Sequence, residues 1–273
     1  MVLVLIQSLR KKKSDMAFIL LTKENGIAKI TLNRPDKFNS FCREMALALQ
    51  VALDDAANDE TIRCVYITGE GKAFCAGQDL TEAIDDNGIE LAQIVAEHYN
   101  PIIEKMRALK KPVVCAVNGV AAGAGANIAL AGDIVVATAS AAFIQAFGKI
   151  GLVPDSGGTF FLPRLVGFQK ATAYMMLGDK IMAEEAERVG MIYKAYPDDQ
   201  FAEESWKLAN TLAALPTKGL CLTKQLLNAT YSNTLNEQLA LEGKLQVEAS
   251  NSHDYGEGVN SFLEKRKPVF KGF

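Results

Sequence analysis

A unit repeated twice constrains this chain most. "RCVYITG" (63–69) is a short β-branched run that ends in glycine and is followed by "EGKAFCAGQDL". "PVVCAVNG" (112–119) has the same form and is followed by "VAAGAGANIAL". A buried strand, a glycine turn, a small-residue segment and then helix-like sequence is the signature of strands laid side by side with crossovers between them. "DIVVATA" (133–139) supplies another apolar strand. Before these units, "FILLTKENGIAKITL" has two β-rich runs about a Lys-Glu-Asn-Gly turn, a hairpin signal. "EMALALQVALDDAAND" then carries Leu49, Leu53 and Ala56 at helical spacing. From about Phe201 the β signal stops, and "WKLANTLAAL", "CLTKQLLNAT" and "LNEQLALEGKLQVEAS" read as helices. The expectation is an α/β protein with its core over 16–200 and a helical part over 201–273, with no linker between them. The first fifteen residues read as a disordered extension. Their apolar run is too short to span a membrane, and the basic cluster follows it, the reverse of a secretory signal.

Composition narrows the chemistry. The 273 residues carry a formal charge of −3, so no broad positive field invites nucleic acid or an anionic membrane. Neither partner is expected. The five cysteines (Cys42, Cys64, Cys75, Cys115 and Cys221) are widely spaced and include no CxxC pair. They read as reduced thiols, which points to a cytoplasmic setting and away from a disulfide framework or a zinc site. With only His98 and His253, histidine metal sites and nucleophile–histidine triads have little support. The chain has no GxxxxGK[ST] loop, "GVAAGAGAN" does not complete GxGxxG, and Pro154 stands where GxSxG would need its first glycine. No metal and no separate cofactor is expected.

Two segments remain, "AFCAGQDL" (73–80) and "NGVAAGAGAN" (118–127). Small residues after a strand let backbone N–H groups face a ligand, and two such donors would form an oxyanion hole. Tight strand-to-helix packing uses the same residues, and spacing alone does not separate the two. Asp155, in "KIGLVPDSGGTFFLPRLVG", has two readings as well. It or Ser156 could cap the following helix, or it could be a carboxylate whose apolar surroundings tune it for proton transfer near neutrality. Cys75 lies beside the first turn without a partner base and reads as a core thiol. His98 reads as packed or exposed, and the basic tail as a solvated helix end.

"LNRPDKFNSF", "ITGEGKAFCAGQDL", "KPVVCAVNGVAAGAG", "GDIVVA" and "GLVPDSGGTFFLPRLVG", in this order, resemble the enoyl-CoA hydratase/isomerase (crotonase) superfamily over about residues 17 to 273. The finer match is similar to its phenylacetate-degradation branch, which includes epoxyphenylacetyl-CoA isomerase activity. The resemblance implies a crotonase-like spiral of β-β-α units with a C-terminal helical oligomerisation region. It also implies an acyl-CoA thioester substrate and a homotrimer or hexamer (a dimer of trimers). It implies oxyanion-hole amides at Gln78 and Ala124, and CoA contacts at Lys37, Phe38, Asn39, Ala76, Asp79 and Leu80. Phe262 and Lys265 match positions that reach the CoA of a neighbouring subunit. The departures matter equally. The positions of the two hydratase glutamates hold Asn127 and Phe147, neither able to exchange a proton near pH 7, while Asp155 matches the aspartate of several isomerases. The resemblance therefore implies isomerisation with Asp155 as the catalytic residue. Two rival readings are a hydratase drawing a second acid from Asp85 or Asp86 and a non-catalytic CoA- or RNA-binding scaffold.

Overall fold

The computed structural model describes residues 17–83 and 89–273. The expected extension over 1–15 and the residues Asp85 and Asp86 lie outside the described residues. The hairpin forms as expected: β1 (Ile19–Glu24) and β2 (Ile27–Leu32) pair antiparallel. Asn25 and Gly26 between them both have positive φ, 52° and 74°, the pattern of a type I′ turn.

The spiral follows. β2 is parallel to β3 (Cys64–Gly69), which is parallel to β5 (Val113–Val117), then β7 (Ile134–Thr138) and β10 (Lys194–Tyr196), giving a six-stranded sheet ordered β1-β2-β3-β5-β7-β10. Within each turn the chain bends into a second sheet. β4 (Ala73–Cys75), β6 (Val120–Ala122) and β8 (Ala142–Ile144) follow β3, β5 and β7 and pair parallel, with β9 (Lys180–Met182) antiparallel at the edge. The corners are tight. A Cβ on Gly69 would run into the Ala73 and Phe74 carbonyls, and one on Gly119 into the Lys72 carbonyl. Both repeat glycines are thus places of close backbone approach.

Among the described residues the α-helices of six or more residues are α1 (Arg43–Asn58), α2 (Asn100–Ala108), α3 (Ala124–Leu130), α4 (Gly158–Val166), α5 (Phe168–Leu177), α6 (Ala183–Arg188), α7 (Phe201–Ala214), α8 (Thr217–Ala229), α9 (Leu235–Ser250) and α10 (His253–Leu263). β3 and β5 are buried along their whole length, as a parallel sheet covered on both faces requires. On one face Val65, Ile67, Val113 and Cys115 belong to the same buried core as Met45, Leu49 and Leu53 of α1. Cutting Leu49 or Leu53 to Ala there costs about 2–5 kcal/mol. On the other face Tyr66, Val114 and Val136 meet Phe201, Ala209 and Leu212 of α7. The first C-terminal helix is therefore part of the sheet's cover. Lys224 of α8 is held by Asp133 at 2.8 Å and the Met106 carbonyl at 2.7 Å. The basic tail does not trail free. Asp254, 2% exposed, accepts from the Lys271 and Gly272 amides, each at 2.7 Å, and Arg63 donates to the Phe270 carbonyl.

No helix among the described residues is long and apolar enough to cross a membrane. They also contain no group of three or more His, Cys, Asp or Glu able to hold a metal ion.

Candidate active site

The two glycine turns come together because β4 and β6 are neighbours. A Cβ placed on Gly77 would lie 2.9 Å from the Ala122 carbonyl oxygen and 3.6 Å from the Ala124 nitrogen. Gly77 itself has φ +92°. Gln78 forms a parallel bridge with Phe41: the Phe41 amide donates to the Gly77 carbonyl at 2.7 Å, and the Asp79 amide donates to the Phe41 carbonyl at 2.8 Å. In a parallel pairing the residue between two such bonds turns its own N–H and C=O to the opposite side. The Gln78 N–H therefore faces away from Phe41 and donates to no protein acceptor among the described residues. Ala124 opens α3, where first-turn N–H groups have no intrahelical partner, and its N–H is likewise undonated. Two free amides thus sit on adjacent turns, an arrangement suited to one oxyanion.

The Gln78 side chain is clamped. Its Nε2 donates to Glu82 at 2.9 Å, and its Oε1 accepts from the Tyr99 hydroxyl. Tyr99 is 1% exposed, stacks edge-on against Phe41 and ends a π-helical stretch, Ile94–Tyr99. No motif in the sequence marks Tyr99. Burial raises its hydroxyl well above the ordinary range, and the carboxylates of Asp155 and Glu82 add to this. Tyr99 thus lies in the electrostatic neighbourhood of Asp155 while bonded to Gln78.

The Asp155 side chain caps no helix, although its carbonyl accepts from the Gly158 amide at 2.9 Å. α4 begins at Gly158 with Gly157 as its N-cap residue, and no side chain accepts from its amides, so the capping reading of Asp155 or Ser156 is corrected. The Asp155 carboxylate accepts from the Ser156 hydroxyl at 2.8 Å. Burial raises its pKa, opposed by the Ser156 hydroxyl and by the aspartate's own amide. The Asp155 carbonyl accepts from Asn127 Nδ2 at 2.9 Å, which ties the loop to α3 only three residues past Ala124. Phe147 is 6% exposed, and its ring tip would lie 3.8 Å from a Cβ on Gly123. Both hydratase positions therefore border this site without a proton to exchange. Cys75 is inert, pushed up to about 12 by burial. His98 is fully buried, with burial lowering its pKa.

The expected CoA contacts divide. The Ala76 amide donates to the Phe38 carbonyl at 2.9 Å, which brings the 37–39 turn beside the 76–80 turn. Lys37, Phe38, Ala76 and Leu80 are exposed there. Phe38 and Asn39 are consecutive residues at φ 49° and 55°, a left-handed pair that a bulky side chain adopts only where tertiary contacts enforce it. Asn39 is fully buried: it accepts from the Arg34 amide and donates to the Glu70 and Ala73 carbonyls. Asp79 is held by Arg34 at 2.9 Å and by Thr81, and the Thr81 hydroxyl and then Arg34 lower its pKa against burial. The side chains of Asn39 and Asp79 are engaged in shaping these turns, beside the exposed Lys37, Phe38, Ala76 and Leu80. Phe262, 82% exposed, and Lys265 lie at the end of α10, and no hydrogen bond among the described residues joins either to the site of its own chain.

Known proteins resemble this chain in sequence and fold. The enoyl-CoA hydratase/isomerase family profile matches residues 22–272. The chain is 48% identical to the 1,2-epoxyphenylacetyl-CoA isomerase of Escherichia coli strain K12, over 94% of this chain and 99% of that protein. It is 46% identical to a Rhodobacter capsulatus protein named "Probable enoyl-CoA hydratase", over 90% of this chain and 95% of the relative. The crystal structure of an enoyl-CoA hydratase from Polaromonas sp. JS666 superposes with TM-score 0.86 at 36% identity, covering 92% of this chain and 99% of that one. The spiral is the crotonase fold, and the chain belongs to the enoyl-CoA hydratase/isomerase family.

Proposed function

We propose that this enzyme is an acyl-CoA isomerase acting on enoyl-CoA or 1,2-epoxyphenylacetyl-CoA thioesters, with Asp155 as the proton carrier. One observation carries the reading. The free amides of Gln78 and Ala124 share their site with the half-buried carboxylate of Asp155, while the hydratase positions hold Asn127 and Phe147. The thioester oxygen accepts from both amides. The Asp155 carboxylate takes a proton from carbon, and the electron pair left behind moves onto that oxygen as an enolate. The protonated Asp155 returns the proton to a different carbon as the enolate collapses, and the double bond has moved with no atom gained or lost. Each oxyanion donor is worth about 3–4 kcal/mol in such a transition state. The similarity to the E. coli isomerase supports the epoxide substrate, where the same electron shift would accompany ring opening. Exposed Phe168, Met176, Leu177 and Phe262 support assembly of the chain with copies of itself, as a trimer or a pair of trimers.

The direct test is Asp155→Asn. Turnover is expected to fall about 10²–10⁴-fold with acyl-CoA binding kept; a folded, acyl-CoA-binding variant with full isomerase turnover sinks the assignment. Products from a panel of enoyl- and epoxyphenylacetyl-CoA thioesters, read by mass and ultraviolet spectrum, separate isomerisation from hydration. The pH profile adds a second check. The reaction needs ionised Asp155, so kcat/KM falls as pH drops through a pKa above the ordinary carboxylate range. Stability runs the other way. The native state holds this proton more tightly than the unfolded chain, so ionisation is destabilising above the raised pKa and the effect vanishes below the unfolded value. Asp155→Asn is therefore expected to raise Tm at neutral pH, by about 2–4 °C for each kcal/mol recovered.

A further inference from the structure

Asn127 sits fully buried in α3, with both ends of its amide bonded. Its Nδ2 donates to the Asp155 carbonyl at 2.9 Å, and its Oδ1 accepts from Gln145 Nε2 at 2.8 Å. Gln145 is itself fully buried just past β8, and its Oε1 has no partner among the described residues. Burying that amide oxygen unpaired is costly, so the donor end of Gln145 must earn its place by what it holds. The loop it holds is strained. Ser156, 1% exposed, and Gly157 follow Asp155 at φ 51° and 73°, and the first is a conformation a non-glycine residue adopts at a cost of roughly 1–2 kcal/mol. Gly158 lies so close that any Cβ there would overlap the Asn127 amide. This left-handed pair turns the chain so that the Ser156 hydroxyl comes back onto the Asp155 carboxylate at 2.8 Å.

We infer that Asn127, backed by Gln145, is a positioning residue: it ties the Asp155 peptide to the turn that carries Ala124, so that the carboxylate keeps one orientation over the two free amides. The inference rests on Asp155 being the proton carrier. It gives the residue at a hydratase-glutamate position a different task. Asn127 touches no reacting atom and acts through Asp155 alone.

A double-mutant cycle on the full-length enzyme tests this, using Asn127→Leu, Gln145→Met and Asp155→Ala, with CoA affinity and Tm measured alongside. A misplacement of about 1 Å in a catalytic group costs about a hundredfold. Asn127→Leu is expected to lower kcat by that order with KM within about threefold, because binding is not what it serves. Gln145→Met is expected to cost about tenfold, since Asn127 can still reach the Asp155 carbonyl. In the Asp155→Ala background each change is expected to cost nothing further, whereas a merely structural role predicts losses that add. Full kcat in Asn127→Leu, or losses that add fully to that of Asp155→Ala, overturns the inference. If Asn127→Leu does not fold, the Gln145→Met arm decides by the same two criteria. Wild-type turnover in Asp155→Ala alone overturns the isomerase reading itself; an impaired Asp155→Ala beside an unimpaired Asn127→Leu overturns only the positioning role.

Discussion

The turns at Gly77–Gln78 and Gly123–Ala124 offer the same group, one undonated N–H, but hold it by different means. Ala124 begins a helix, so local geometry alone leaves its amide unpaired and directed. Gln78 sits in irregular chain, and its amide is aimed by contacts from far along the sequence. Phe41 bonds on either side of it, while Tyr99 and Glu82 hold its side chain. A donor fixed by a helix survives the loss of a neighbour better than one fixed by a clamp. The first turn should therefore be the fragile half of the site.

The largest expected effect is at the seam between the turns. Gly77→Ala places a Cβ 2.9 Å from the Ala122 carbonyl, against backbone that cannot step aside, at φ +92°. The turns must part, and the Gln78 N–H leaves its place beside Ala124. Losing one oxyanion donor costs about 10²–10³-fold in kcat. Steady-state kinetics on an enoyl-CoA would show it, and activity within a few-fold of wild type would mean that the Gln78 amide is not a donor to the reaction.

Tyr99→Phe sharpens the comparison by loosening only the clamp. The ring still packs edge-on against Phe41, but the Gln78 Oε1 loses its buried hydroxyl partner. A lost neutral hydrogen bond of about 0.5–1.5 kcal/mol predicts up to about a tenfold fall in kcat with little change in KM. The ultraviolet band of a bound conjugated acyl-CoA reports carbonyl polarisation directly, and its red shift should shrink in the variant. An unchanged band and rate would show that the backbone pairing with Phe41 suffices to aim Gln78.

The same contrast explains what could be read from the sequence. The hairpin about Asn25–Gly26, helix α1 and strands β3, β5 and β7 follow from short-range signals: a left-handed turn pair, an apolar helical period and β-branched runs. The glycine turns were visible as small-residue segments after strands, and the family resemblance brought the Gln78 and Ala124 positions with it. Strands β4, β6 and β8 were not visible from periodicity, because three residues such as Ala73-Phe74-Cys75 are too few to show an alternation. Nor was the Tyr99–Gln78 bond, which joins residues 21 positions apart through a π-helical stretch. Asp155 stood out as a lone carboxylate, but its freedom from capping depended on where α4 begins. The internal bonding of Asn39 to the Ala73 carbonyl and of Asp79 to Arg34 was not visible either, because it joins residues 34 and 45 positions apart.

The smallest effect on turnover is expected at the second turn. Gly123 has φ +53° and ψ −127°, a region where a side chain is strained, yet the nearest atom to an added Cβ is the Phe147 ring tip at 3.8 Å. Gly123→Ala therefore brings backbone strain without a clash. Strain of that kind costs about 1–3 kcal/mol, which should appear as a lower Tm. The helix that follows still leaves the Ala124 N–H without an intrahelical partner, so kcat should change only a few-fold. Parallel thermal melts and kinetics on Gly77→Ala and Gly123→Ala separate the two terms. If Gly123→Ala loses as much turnover as Gly77→Ala, then α3 does not hold its donor independently, and both amides depend on one shared backbone contact between Gly77 and Ala122.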